Sequence, residues 1–264
     1  MNPRPFWLAL AVACAAAAGC AAQPTAETTL KPATTTTGDE PVDRARARIH
    51  TELAAGYYEL GSMGVALEEV KEALRSDANY GPAYNVAALI YAALKEDRLA
   101  EENFQRALRI NSLDHDANNN YGSFLCQRKR EEEGIRYFLE AIRNPLYQNA
   151  ERSYVNAGMC ARRRGDLARA EGYFQQALRL RPGQPQALYQ MADLSYSRGS
   201  YDQAREYLNR LAQVAPANAE VLWLGVRVSR RLEDRNSEAS YALQLRRNFP
   251  DSKEARALST GEIE

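Results

Sequence analysis

The sequence lacks an excess of charge of either sign: among 264 residues, 34 Lys and Arg stand against 34 Asp and Glu. Nucleic-acid binders concentrate an excess of Lys and Arg on one face, so the balance argues against that class of partner. Histidine is nearly missing; His50 and His115 stand alone, and neither has a paired carboxylate motif beside it. No phosphate loop of the GxxxxGK type, GxSxG elbow, HExxH pair or CxxC knuckle occurs. Those gaps leave no catalytic, cofactor-binding or metal-ligating residue to name, and no cofactor or small-molecule substrate is expected. The acidic run Glu131-Glu132-Glu133 reads as a solvated helix start that suits the helix dipole. With only 15 Gly and 11 Pro, the composition suits a soluble, largely helical body.

A long apolar run is missing as well. Phe6 to Ala18 is uncharged and mostly apolar over 13 residues, short of the roughly 20 that a membrane-spanning helix needs. With Arg4 before it and small residues at its end, residues 1–19 match a secretory signal peptide. A permanent anchor helix is the alternative, and the alanines make it a weak one. Ala17-Ala18-Gly19-Cys20 resembles a bacterial lipobox, which implies cleavage before Cys20 and a lipid on its sulfur. Ala17 stands where that motif most often has Leu. The rival box ending at Cys14 leaves an apolar region of only about eight residues, near the lower limit for a signal. Ordinary signal cleavage would leave a free thiol at the cut. Ala21 is not Asp, and by resemblance to enterobacterial sorting this implies the outer membrane, periplasmic face. Several acyl chains hold a terminus firmly where one does not.

Ala21 to Val42 contains seven Thr and three Pro with scarcely any large apolar side chain. It cannot bury enough surface to offset its ordering entropy, so residues 20–42 read as the acylated Cys and a disordered tether. Residues 259–264 read as a flexible end. Between them, from 43 to 258, the segments ALEEVKEAL, AEENFQRAL, GIRYFLEAI, ARAEGYFQQAL and QAREYLNRL align into six units. The units start at 47, 81, 115, 151, 185 and 219, with steps of 34 residues except the third, which is 36.

That is the tetratricopeptide period, and the columns carry its physical reason. Position 8 reads Ala54, Ala88, Gly122, Gly158, Ala192 and Val226; position 20 reads Ala66, Ala100, Gly134, Ala170, Ala204 and Glu238. Small residues there let two helices approach closely, and Val70, Phe104, Phe138, Phe174 and Leu208 at position 24 fill the remaining space. Pro182, Pro216 and Pro250 stop the second helices. Gly61, Gly165 and Gly199 mark turns within repeats. The expected fold is an all-α right-handed superhelix of about twelve helices in six pairs, with a degenerate sixth repeat that caps the stack.

Cys126 and Cys160 lie 34 residues apart in the first helices of adjacent repeats. Packed axes at about 8 to 10 Å, less a backbone radius of about 2.3 Å each, bring facing Cα atoms within disulfide range. A bridge is expected in an exported chain; two buried free cysteines packing as small hydrophobes are the alternative. The remaining candidate site is the groove lined by the first helices. It is read from Thr51, Ala55 and Tyr58; Asn85, Leu89 and Ala92; Asn119, Ser123 and Cys126; and Val155, Met159 and Arg162. This trough is apolar and lightly polar, suited to an extended or helical peptide. Tyr189, Tyr196, Trp223, Arg227 and Arg230 turn the last two repeats aromatic and basic.

The runs NNNYGSFLCQ (118–127), NPLYQNAERSYVNAGMCAR (144–162), WLGVRV (223–228) and YALQLRRNFPDSKEA (241–255) resemble the type IV pilus biogenesis lipoprotein family PilF/PilW. The resemblance spans about 43 to 255. It implies a pilotin, a non-enzymatic outer-membrane lipoprotein that binds the pilus secretin and promotes its localisation or assembly. It also implies a disulfide at Cys126 and Cys160. An adaptor for periplasmic peptidoglycan enzymes is the other class that shares an anchor and a repeat scaffold.

Overall fold

The computed structural model describes residues 40–261. The signal peptide, Cys14, Cys20 and nearly all of the tether lie outside the described residues, as do 262–264. The chain folds as α1 (Val42–Glu59), α2 (Met63–Ser76), α3 (Gly81–Ala93), α4 (Asp97–Ile110), α5 (His115–Gln127), α6 (Glu131–Ile142), α7 (Ala150–Arg163), α8 (Leu167–Leu180), α9 (Pro185–Ser197), α10 (Tyr201–Ala212), α11 (Ala219–Arg231), α12 (Arg235–Asn248) and α13 (Lys253–Thr260). Each odd-numbered helix up to α11 packs on the one that follows, and successive pairs stack in chain order. This is an all-α tetratricopeptide solenoid. Among the described residues, no helix is long and apolar enough to cross a membrane.

The small columns do what their size requires. A Cβ on Gly158 would fall 2.5 Å from the Phe174 ring, and one on Gly122 would fall 2.9 Å from Phe138. Phe104, Phe138 and Phe174 are fully buried in consecutive repeats, beneath Ala88, Gly122 and Gly158. In the sixth repeat Val226 and Glu238 occupy the small positions, and the close approach moves one residue earlier. There Gly225 faces Tyr241, whose ring would lie 2.8 Å from an added Cβ.

The turn inside every repeat uses a residue in the left-handed region. Gly61, Gly165 and Gly199 serve in three repeats; Lys95 (φ 67°), Lys129 (φ 61°) and Glu233 (φ 57°) serve in the others. The two extra residues of the third step fall in the α6–α7 loop. There Tyr147 stacks on His115 with ring centroids 4.5 Å apart, and the Asn144 side-chain amide donates to the Leu113 carbonyl at 2.8 Å. Burial pushes the Tyr147 hydroxyl pKa upward.

Two boundaries differ from the sequence reading. Among the described residues the expected twelve helices become thirteen, and Ser259 and Thr260, expected in a flexible end, complete α13. The Ser252 hydroxyl caps α13 by accepting from the Ala255 amide at 3.0 Å, and Ala255 and Leu258 cover Leu222, Val226, Ala242 and Leu245. The stack is therefore closed by an added helix as well as by the worn sixth repeat. At the other end, α1 begins at Val42, the last residue assigned to the tether.

Candidate partner-binding site

The residues read as groove-lining divide into two sets. Thr51, Asn85, Cys126 and Val155 are buried, and several polar ones are used between or within helices. The Thr51 hydroxyl donates to the Ala47 carbonyl at 2.7 Å, and Asn120 donates to the Asn85 side-chain oxygen at 3.2 Å. Asn119 accepts from Ser153 at 3.1 Å and from Asn156 at 3.0 Å. This ladder of short polar side chains staples α3 to α5 and α5 to α7, as the satisfaction of part-buried polar groups requires.

The second set is open. Tyr58, Leu89, Ala92 and Ser123 meet at a cavity of about 190 Å³ together with Phe104, Phe124 and Arg128. Arg128 lies over the Phe124 ring at 4.6 Å and pairs with Asp97, which holds the Asp97 carboxyl below its ordinary pKa. Ala55 is half-buried in the first-repeat core, and Met159 is exposed, with the Gln186 amide 3.9 Å from its sulfur. Arg162 is paired with Asp193 and Gln190.

A surface that the groove reading did not include lies on α1. Ile49, Leu53 and Leu60 are exposed on one side of that helix, and with Gly56 and Tyr57 they frame a shallow cavity of about 380 Å³. The spacing 49, 53, 56, 57, 60 is a helical stripe, and that signal was legible in the sequence. It was absorbed into the repeat pattern, whereas among the described residues no helix precedes α1 to cover that side.

The paired cysteines also take their place. Cys126 and Cys160 stand at disulfide geometry, with Cα atoms 5.8 Å apart and a sequence separation of 34. Gly134 makes room for the Cys126 sulfur, which would lie 2.6 Å from a Cβ on that glycine. A part-buried network joins repeats two and three. The Tyr121 hydroxyl donates to Glu101 at 2.8 Å, and Arg130 spans Glu101 at 2.8 Å and Glu133 at 2.8 Å. Burial drives the Tyr121 pKa well up, whereas the Arg130 guanidinium holds Glu133 below its ordinary value. Among the described residues, no group of three or more His, Cys, Asp or Glu is placed to hold a metal ion.

Tetratricopeptide repeat models match residues 85–151, 134–185 and 161–224. A curated relative, the type IV pilus assembly protein PilF of Pseudomonas aeruginosa, is 36% identical over 216 residues, covering 82% of this chain and 85% of its own. The chain belongs to the PilF/PilW family of type IV pilus biogenesis proteins. Its fold agrees over about four-fifths of the chain. The solved structure of Pseudomonas aeruginosa PilF superposes with a TM-score of 0.74 at 34% identity, covering 83% of this chain and 99% of that one. The crystal structure of PilW, described as a widely conserved type IV pilus biogenesis factor, gives 0.70 at 32% identity over 80% and 97%. The family models that match are repeat models, and the family's place in pilus biogenesis is consistent with work done through protein contacts.

Proposed function

We propose that this PilF/PilW-family chain is a pilotin: a non-enzymatic lipoprotein, anchored at the outer membrane through Cys20, that binds the type IV pilus secretin and promotes its localisation and multimerisation. The observation that carries the reading is the apolar side of α1, where Ile49, Leu53 and Leu60 are 49%, 45% and 78% exposed. Contiguous exposed apolar side chains on a folded body mark a place for a partner. An apolar secretin segment lying along α1 would cover this stripe; the cavity at Tyr58, Leu89 and Ala92 opens on the other side of the same helix. An amphipathic segment in a hydrophobic groove is a recurrent mode of peptide recognition. The lipid would then bring the bound subunit to its membrane.

The test is deletion of the gene with secretin multimers followed on a gel, complemented by wild type or by Leu53→Glu. Wild type restores multimers. Leu53→Glu, which changes an exposed position, keeps helical content and melting temperature but fails to restore them. Unchanged secretin multimers with altered cell-wall chemistry in the deletion would instead point to the peptidoglycan adaptor. Mass spectrometry of the mature N-terminus checks the anchor, and an unmodified Cys20 would remove it.

A further inference from the structure

The far end of the solenoid holds a second cavity, about 440 Å³, between α9, α11 and α13. Tyr189 and Trp223 form aromatic walls, Arg227 and Asp193 lie deeper along the same two helices, and Lys253, Glu254 and Ala257 of α13 close the third side. Most of its charges are already met. Asp193 is paired with Arg162, and Lys253 stands 3.6 Å from Glu254. Burial pushes the Tyr189 hydroxyl up to about 12, so it is a neutral hydroxyl at physiological pH.

Arg227 differs. Its guanidinium lies over the Tyr196 ring, 4.2 Å from the centroid, and its Nε is buried with no hydrogen-bond partner. An aromatic face holds the group in position and attracts the cation, but it does not accept the in-plane N–H bonds. A buried donor left unpaired carries a desolvation cost; Nε itself is not a contact point, but Arg227 lines the open cavity, where its guanidinium can be paired by what enters.

We propose that this cavity is a second peptide-docking site, separate from α1, which takes an acidic side chain of an extended segment. The carboxylate is received by Arg227, and a neighbouring aromatic or apolar side chain lies against Tyr189 and Trp223. The guanidinium fork matches a carboxylate in both shape and charge. A chain passing along the inner helices reaches the pocket without ending there, which selects a side-chain acid over a C-terminal one. Glu220, exposed at the rim, opposes the incoming charge from a screened position.

Trp223 supplies the readout. The mature chain, cut before Cys20 and purified in detergent, retains Trp223 as its sole tryptophan. It is titrated with acetyl-Ala-Phe-Glu-Phe-Ala-amide, with the Gln counterpart, and with a peptide whose only acid is a free C-terminus. The Glu peptide gives a saturable change in Trp223 emission, and the Gln peptide binds about tenfold more weakly or worse, as loss of a charged hydrogen bond predicts. Arg227→Gln removes that preference with circular dichroism unchanged, and Glu220→Gln tightens the Glu peptide. If Arg227→Gln disturbs the fold, the peptide pair and Glu220→Gln still decide. Equal binding of the Glu and Gln peptides, binding of the free-acid peptide alone, or no saturable change with any peptide overturns the proposal.

Discussion

Gly134 lies directly against Gly122: a Cβ on Gly134 would stand 2.7 Å from the Gly122 carbonyl oxygen. Backbone meets backbone at this crossing of α5 and α6, so nothing there is a flexible chain end that could yield. Gly134→Ala is therefore expected to destabilise by about 1–3 kcal/mol through overpacking, against the usual helical gain of up to about 1 kcal/mol for replacing glycine. Gly172→Ala in α8, with nothing within 4 Å of the added carbon, supplies the opposite sign and should stabilise by about 0.5–1 kcal/mol. Thermal or urea unfolding of the two variants checks both directions at once.

The repeat turns give a second signed pair. Lys129 holds φ at 61° where Gly165 and Gly199 serve in later repeats. A left-handed conformation costs a side-chain-bearing residue about 1–2 kcal/mol, of which glycine returns part through its larger unfolded-state entropy. Lys129→Gly should raise the unfolding free energy slightly, and Gly165→Ala should lower it by about 1 kcal/mol. A fall with Lys129→Gly would mean that the lysine side chain supplies a contact larger than its strain.

The disulfide predicts a stability difference that chemistry can read. Closing a loop of this sequence separation, 34 residues, removes unfolded-state entropy worth about 3–4 kcal/mol. Non-reducing peptide mapping should recover Cys126 linked to Cys160. Reduction should lower the unfolding free energy by that amount, with helical content retained at room temperature. Cys126→Ala with Cys160→Ala should match the reduced wild type and become insensitive to reductant.

Acid should weaken the junction of repeats two and three. The Arg130 guanidinium holds Glu133 below its ordinary pKa, and Arg128 does the same for Asp97. A carboxylate whose folded pKa is depressed adds stability above its unfolded pKa and loses it as pH falls through the folded one. The unfolding midpoint should thus decline on acidification below the ordinary carboxylate range. Arg130→Gln should be less stable than wild type at neutral pH and should converge with it in acid. Both partners are near solvent, so added salt should shrink the difference.

What the sequence displayed was whatever repeats. Ala88, Gly122 and Gly158 share one column and Phe104, Phe138 and Phe174 another, and five registers of the same constraint make the pairing readable. Cys126 and Cys160 were readable for the same reason, since a fixed period converts sequence distance into spatial proximity. Features that occur once were not. Val226 and Glu238 break the columns, and only the structure shows that Gly225 takes over against Tyr241. The unpartnered donor of Arg227 depends on which neighbours already pair, and neither period nor composition carries that. Of the groove residues, Thr51, Asn85 and Asn119 carried the right chemistry for a ligand, but Thr51 is used by the Ala47 carbonyl of its own helix and Asn85 and Asn119 by partners on the adjoining helices.

The last such single feature is α13, whose eight residues match no repeat column. The end of a solenoid leaves one apolar side with no further repeat to cover it, and here that side is Leu222, Val226, Ala242 and Leu245. Leu258 and Ala255 are only 8% and 7% exposed, which places α13 as the cover for these side chains. Leu258→Ala should cost about 2 kcal/mol or more, as expected for a buried leucine. Because each repeat contacts only its neighbours, the damage should be graded. Hydrogen exchange should accelerate in α11 and α12 first, less in α9 and α10, and scarcely at the Cys126 to Cys160 core. A uniform acceleration from α1 to α12 would show that the stack unfolds as a single unit, and the end helix would then be a keystone for the whole solenoid instead of a local cap.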